Sequence, residues 1–136
     1  MQPLLTDRAR ILGAEHPDTL NTRNDLALAY AAAGRVDEAI AIYEPLLTDY
    51  ERILGPEHPH TLIMRRNLAG AYREAGRVDE AIAIYEPLLA DRERILGPAH
   101  PETLATRRDL AGAYRSIGRD AEATPLEERG TDGDAR

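Results

Sequence analysis

The chain has no cysteine, no tryptophan and no phenylalanine, and its aromatic rings are six tyrosines and four histidines. Lysine is missing as well, so all 17 basic side chains are arginine. Without cysteine there is no disulfide framework and no thiolate metal site. Serine occurs once, as Ser116, and no serine or cysteine nucleophile is set beside a histidine. No apolar run approaches the roughly 20 residues that span a bilayer. Met1 to Leu5 lack the basic, apolar and small-residue order of an export signal, and a cytoplasmic protein is expected. The net charge of -7 repels phosphate backbones and anionic lipid, so neither nucleic acid nor membrane is expected as a partner.

What the chain does have is itself, three times over. Ile11-Leu12-Gly13 returns as Ile53-Leu54-Gly55 and as Ile95-Leu96-Gly97, a period of 42 residues, each time followed closely by His-Pro. A fixed period of this size marks a stacked array whose units cannot bury their apolar faces alone. Such an array presents an extended surface rather than a closed pocket, which argues against an enzyme.

Each unit reads as two helices. At His58-Pro59 the proline sets a helical φ at the first position and forces the residue before it out of the α region. Helix A is predicted to run from there to about Ala75 and to end at Gly76, a left-handed cap repeated at Gly34 and Gly118. Asp79 and Glu80 open helix B, where the helix dipole favours negative charge, and Gly97 with Pro98 closes it. Pro45 and Pro87 fall inside helix B, where a kink is expected.

Leu26-Ala27, Tyr30, Gly34, Ala39 and Tyr43, with Leu68-Ala69, Tyr72, Gly76, Ala81 and Tyr85 one period on, resemble the tetratricopeptide repeat signature. The 42-residue unit and its Leu-Gly-x-x-His-Pro connection are most similar to the kinesin-light-chain type. The resemblance implies an all-α solenoid of antiparallel helix pairs in a right-handed superhelix, whose A helices line a groove for extended peptides or partner proteins. Many bacterial members are arms of larger signalling ATPases, but no Gly-rich phosphate loop is present here. The family's frequent tryptophan early in helix A is replaced by Arg23, Arg65 and Arg107.

One solenoid is expected over residues 1–129, with a partial helix B at 1–13, full repeats at 14–55 and 56–97, and a last repeat with a degenerate helix B at 98–129. Residues 130–136 form a polar tail. A helix B without its helix A implies a cut array with an apolar edge at Leu4, Leu5 and Ile11. That edge offers the alternative function: self-assembly, as a homodimer, or docking as the regulatory arm of a larger protein.

The first two units differ at eleven of 42 positions, and Ala33–Leu47 is identical to Ala75–Leu89. Past the first turn of helix A all the differences except Thr22/Met64 fall on one arc, at Asn21/Ile63, Asn24/Arg66, Asp25/Asn67, Leu28/Gly70, Ala31/Arg73 and Ala32/Glu74. The opposite arc carries Leu62, Leu68, Ala69, Tyr72 and Ala75 and must be the packed side. The variable arc is therefore read as the groove face. Arg66 and Arg73, seven residues apart, recur as Arg108 and Arg115 on the next helix A. Seven residues span roughly 10 Å and packed helices lie roughly 8–10 Å apart, so the four guanidinium groups are expected to outline a square. Gly70 and Gly112 between them admit a close backbone. Because the arginine fork matches a carboxylate, an acidic peptide is the predicted ligand, with Asn24, Asn67 and Asp109 completing the contact set. Neutralisation by Glu74 and Asp109 within the fold is the competing expectation. In the resemblance, Asn67 stands where the family keeps a backbone-clamping asparagine, with Asp25 and Asp109 at the matching positions.

His16, His58 and His100 recur one per connection, and His60 adds a fourth. Metal binding needs three or four ligands converging on one point, so these histidines are read as shaping the turn before proline, and no metal or cofactor is expected.

Overall fold

The computed structural model describes residues 16–135, with side chains through residue 128. Leu4, Leu5 and Ile11, the expected apolar edge, lie outside the described residues. Among the described residues the chain forms six helices: α1 (Pro17–Ala32), α2 (Val36–Leu54), α3 (Pro59–Glu74), α4 (Val78–Leu96), α5 (Pro101–Ser116) and α6 (Asp120–Ala135). Each packs extensively on its neighbours in the chain, giving an all-α solenoid of stacked helix pairs. The helix bounds expected for the second unit are met, and α6 runs on to Ala135 through most of the segment set apart as a polar tail.

The repeated sequence builds repeated caps. His16, His58 and His100 sit extended before a proline, and each Nδ1 accepts the backbone N–H two residues on at 3.1 Å. An orphan amide at each A-helix start is thereby satisfied. At the other end Gly34, Gly76 and Gly118 take φ near +80°, at 79°, 79° and 80°. That conformation turns the chain so that Arg35, Arg77 and Arg119 N–H each reach the carbonyl of Tyr30, Tyr72 or Tyr114 at 2.8 Å. The same arginines lay their guanidinium groups over those tyrosine rings at 4.7, 4.6 and 4.8 Å from the centroid. Pro45 and Pro87 lie within helices that continue through them.

The core is a ladder of small and aromatic residues. Ala27, Ala39, Ala69, Ala81 and Ala111 are almost wholly buried and let the helices approach, while Leu46 and Leu88 fill the space between. Tyr72 donates to Glu44 and Tyr114 to Glu86, in each case the acid of the preceding helix B. Arg65, in a position where tryptophan is frequent in the family, is buried and reaches Asp91 at 2.7 Å, as Arg23 reaches Asp49 at 2.6 Å. The third repeat has Gly133 in place of that aspartate, and Arg107 turns instead to Glu93 at 3.1 Å and to the Pro98 carbonyl at 3.3 Å.

Candidate functional site

The inner faces of α1, α3 and α5 enclose an open groove of about 610 Å³. Leu28 and Ala31 of α1 form its apolar wall, and Leu28 is 45% exposed. Arg66, Asn67, Gly70, Arg73 and Glu74 of α3 form its long side, and Asp109 of α5 closes it. Its floor comes from the B helices, through Tyr43 of α2 and Tyr85 of α4.

The four arginines of the expected square are not equivalent in their pairing. Arg66 Nε donates to Asp109 Oδ2 at 2.7 Å, and this hydrogen bond holds the guanidinium above its ordinary pKa. Arg115 Nε donates to Glu127 Oε2 at 3.0 Å, with a second bond from Nη2 to Oε1. Arg73 and Arg108 have no carboxylate within ion-pair distance among the described residues. Internal neutralisation therefore accounts for two of the four, through Asp109 and Glu127.

The two glycines also separate. Gly70 faces the groove, where a Cβ would stand 3.8 Å from Tyr85 Oη, an ordinary contact. At Gly112 a Cβ would stand 2.8 Å from Arg73 Nη2. The room left by Gly112 is thus used by the Arg73 guanidinium of the neighbouring helix, not held open for a ligand backbone. Asn24 lies outside the groove lining, half-buried, with a buried Oδ1 that accepts no hydrogen bond among the described residues.

Tyr43 and Tyr85 lie within the stretch of helix B that is identical in the first two units, so the differences between those units do not single them out. They are 2% and 3% exposed, yet neither hydroxyl has a hydrogen-bond partner among the described residues. Tyr50, Tyr72 and Tyr114 all have one. Burial pushes Tyr85 up to about 12, with Asp109 adding to the shift and Arg73 and Arg66 opposing it. Tyr43 is likewise pushed up to about 12 by burial and by Glu74. Both phenols are thus proton donors at neutral pH. Arg73 at the wall and the two phenols of the floor thus face the groove as hydrogen-bond donors, beside the carboxylates of Glu74 and Asp109.

No cluster of three or more histidine or acidic side chains suited to a metal occurs among the described residues. No helix among them is long and apolar enough to cross a membrane. The Tetratricopeptide repeat profile matches residues 18–90 and again 61–135. The nearly identical TPR-like repeats of a Podosopora anserina kinesin light chain are 34% identical, with a TM-score of 0.87 over 98% of this chain and 64% of that one. The chain thus spans less than two thirds of that relative. BtubC (BKLC) from P. vanneervenii has the same fold at 21% identity and a TM-score of 0.87, over 98% of this chain and 54% of that one. A mutant of MamA is 26% identical with a TM-score of 0.61, over 86% of this chain and 74% of that one. No curated protein matches.

Proposed function

The chain belongs to the tetratricopeptide repeat family, whose repeats mediate protein–protein interactions, and from that premise we propose that it holds an extended acidic segment of a partner protein in its groove. The observation that carries this reading is Arg73: a guanidinium on the groove wall with no acid partner among the described residues, in a groove whose floor holds two tyrosine hydroxyls that donate to nothing there. The apolar wall at Leu28 supports a ligand that is acidic but not uniformly charged, because it covers the aliphatic part of a partner side chain. Arg108, exposed and without an acid partner among the described residues, extends the same face toward the C-terminus. In this reading the protein is a non-catalytic cytoplasmic element without a cofactor, and its partner is neither nucleic acid nor membrane.

The test is binding of fluorescent acidic, neutral and basic peptides at low and moderate salt to the protein and to its Arg73→Ala, Arg108→Ala variant. Preferential, salt-sensitive capture of the acidic set that disappears in the variant is the expected result. Equal binding of all three sets, or capture unchanged by the variant, would remove the groove from the account.

A further inference from the structure

The third repeat departs from the first two at three positions that converge on one guanidinium. Val36 and Val78 are followed by Asp120, Ile40 and Ile82 by Thr124, and Tyr43 and Tyr85 by Glu127. Asp120 Oδ1 lies 3.5 Å from Arg115 Nη1, and Thr124 Oγ1 accepts from Arg115 Nη2 at 3.3 Å. Glu127 takes both edges of the same fork, Nε at 3.0 Å and Nη2. A polar C-terminal helix needs only polarity toward solvent, and polarity alone does not explain why oxygens from three new side chains surround Arg115.

Arg115 is the counterpart of Arg73 one repeat on, and Glu127 stands where Tyr85 stands. The carboxylate that closes on Arg115 comes from the groove-floor position. In the second repeat that position is a tyrosine, and neither its hydroxyl nor Arg73 has a partner of this kind among the described residues. The same arginine is therefore seen in two states within one chain, one filled from inside and one open.

We propose that Glu127 is a built-in ligand: it occupies the third-repeat subsite with the carboxylate that a partner supplies at Arg73, and so limits the row formed by Arg73 and Arg115 to one acidic side chain where the repeat would allow two. This deepens the acidic-peptide reading and rests on it. The open subsite takes a single carboxylate on the Arg73 fork, with the Tyr43 and Tyr85 hydroxyls as further donors. A phosphate dianion fits less well, because Glu74 and Asp109 line the same groove and offset the charge of Arg73 and Arg66. The plugged subsite lies one helix spacing away, roughly 10 Å, which three extended residues cover.

The test uses two fluorescein-labelled peptides of eleven residues built on glycine, serine and alanine, one with a single glutamate and one with Glu-x-x-Glu. Anisotropy titrations compare the wild type, Glu127→Gln, and the Asp120→Val, Glu127→Tyr variant, which restores second-repeat residues; circular dichroism confirms that each is folded. The wild type should bind both peptides within about twofold of each other, whereas both variants should prefer the two-glutamate peptide by about tenfold, the gain of one charged hydrogen-bonded contact. If the wild type binds the one-glutamate peptide and neither variant gains a preference, the plug is overturned and the acidic-peptide reading stands. If the wild type binds neither peptide while the variants bind the two-glutamate one, the plug stands and the open subsite at Arg73 falls. If no protein binds either peptide, both fall.

Discussion

Arg66 Nε lies 2.7 Å from Asp109 Oδ2, a bond that crosses from α3 to α5 and ties the second repeat to the third along the groove face. The arginine is therefore a fastener between repeats before it is a contact for any ligand. Both side chains remain partly exposed, at 40% and 24%, so the pair is expected to contribute only about 0.2–1 kcal/mol. Asp109→Asn should lower the stability by no more than that in urea titration. It should also raise affinity for acidic peptides, because the Arg66 fork is released into the groove.

His58 caps α3 through Nδ1, and His60 only stacks on it, with ring centroids 5.3 Å apart. His58→Ala should cost about 1 kcal/mol, the usual cost of a lost helix cap. His60→Ala should fall within about 0.5 kcal/mol of the wild type, as exposed substitutions do. Thermal melts of the two variants side by side distinguish a structural cap from a pair of equivalent surface histidines.

Acid should loosen the array through Asp49 and Asp91. Hydrogen bonding to Arg23 holds Asp49 below its ordinary 3.8, and at Asp91 burial pushes upward but Arg65 and Arg94 outweigh it. Both folded carboxyls are thus stronger acids than in the unfolded chain, and their contribution is complete well above pH 3.8 and is lost as pH falls through the folded values. The Asp49→Asn, Asp91→Asn variant should be less stable at neutral pH and lose less stability between about pH 5 and pH 3. Urea midpoints across that range provide the comparison.

Gly70 and Gly112 both lie inside helices, where alanine is usually better by about 0.5–1 kcal/mol. Gly70→Ala should gain most of that, since its Cβ meets Tyr85 Oη at an ordinary 3.8 Å. Gly112→Ala should gain less, because the Arg73 guanidinium must move aside from a 2.8 Å approach. The difference should be read in the urea midpoint at an unchanged slope.

The architecture was legible because it is written three times: His-Pro at each A-helix start and glycine at each end set the helix bounds almost to the residue. The groove was found from differences between units, and that route led to Arg66, Asn67, Gly70, Arg73 and Asp109 together. It could not reveal Tyr43 and Tyr85, which do not differ, nor the approach of Glu127 to Arg115, because helix B of the third repeat reads in sequence only as degenerate. Pairing was also hidden, because Arg66 and Arg108 read alike, and only the approach of Asp109 to one of them separates their roles.

The most direct measurement is the position of a bound acidic peptide, followed by NMR on the Arg Nε–H and tyrosine ring signals during a titration with the one-glutamate peptide. The account expects the Arg73, Tyr43 and Tyr85 signals to shift together and to saturate at the same peptide concentration, while Arg115 moves little. Shifts confined to the outer helices, or an Arg115 response equal to that of Arg73, would contradict it.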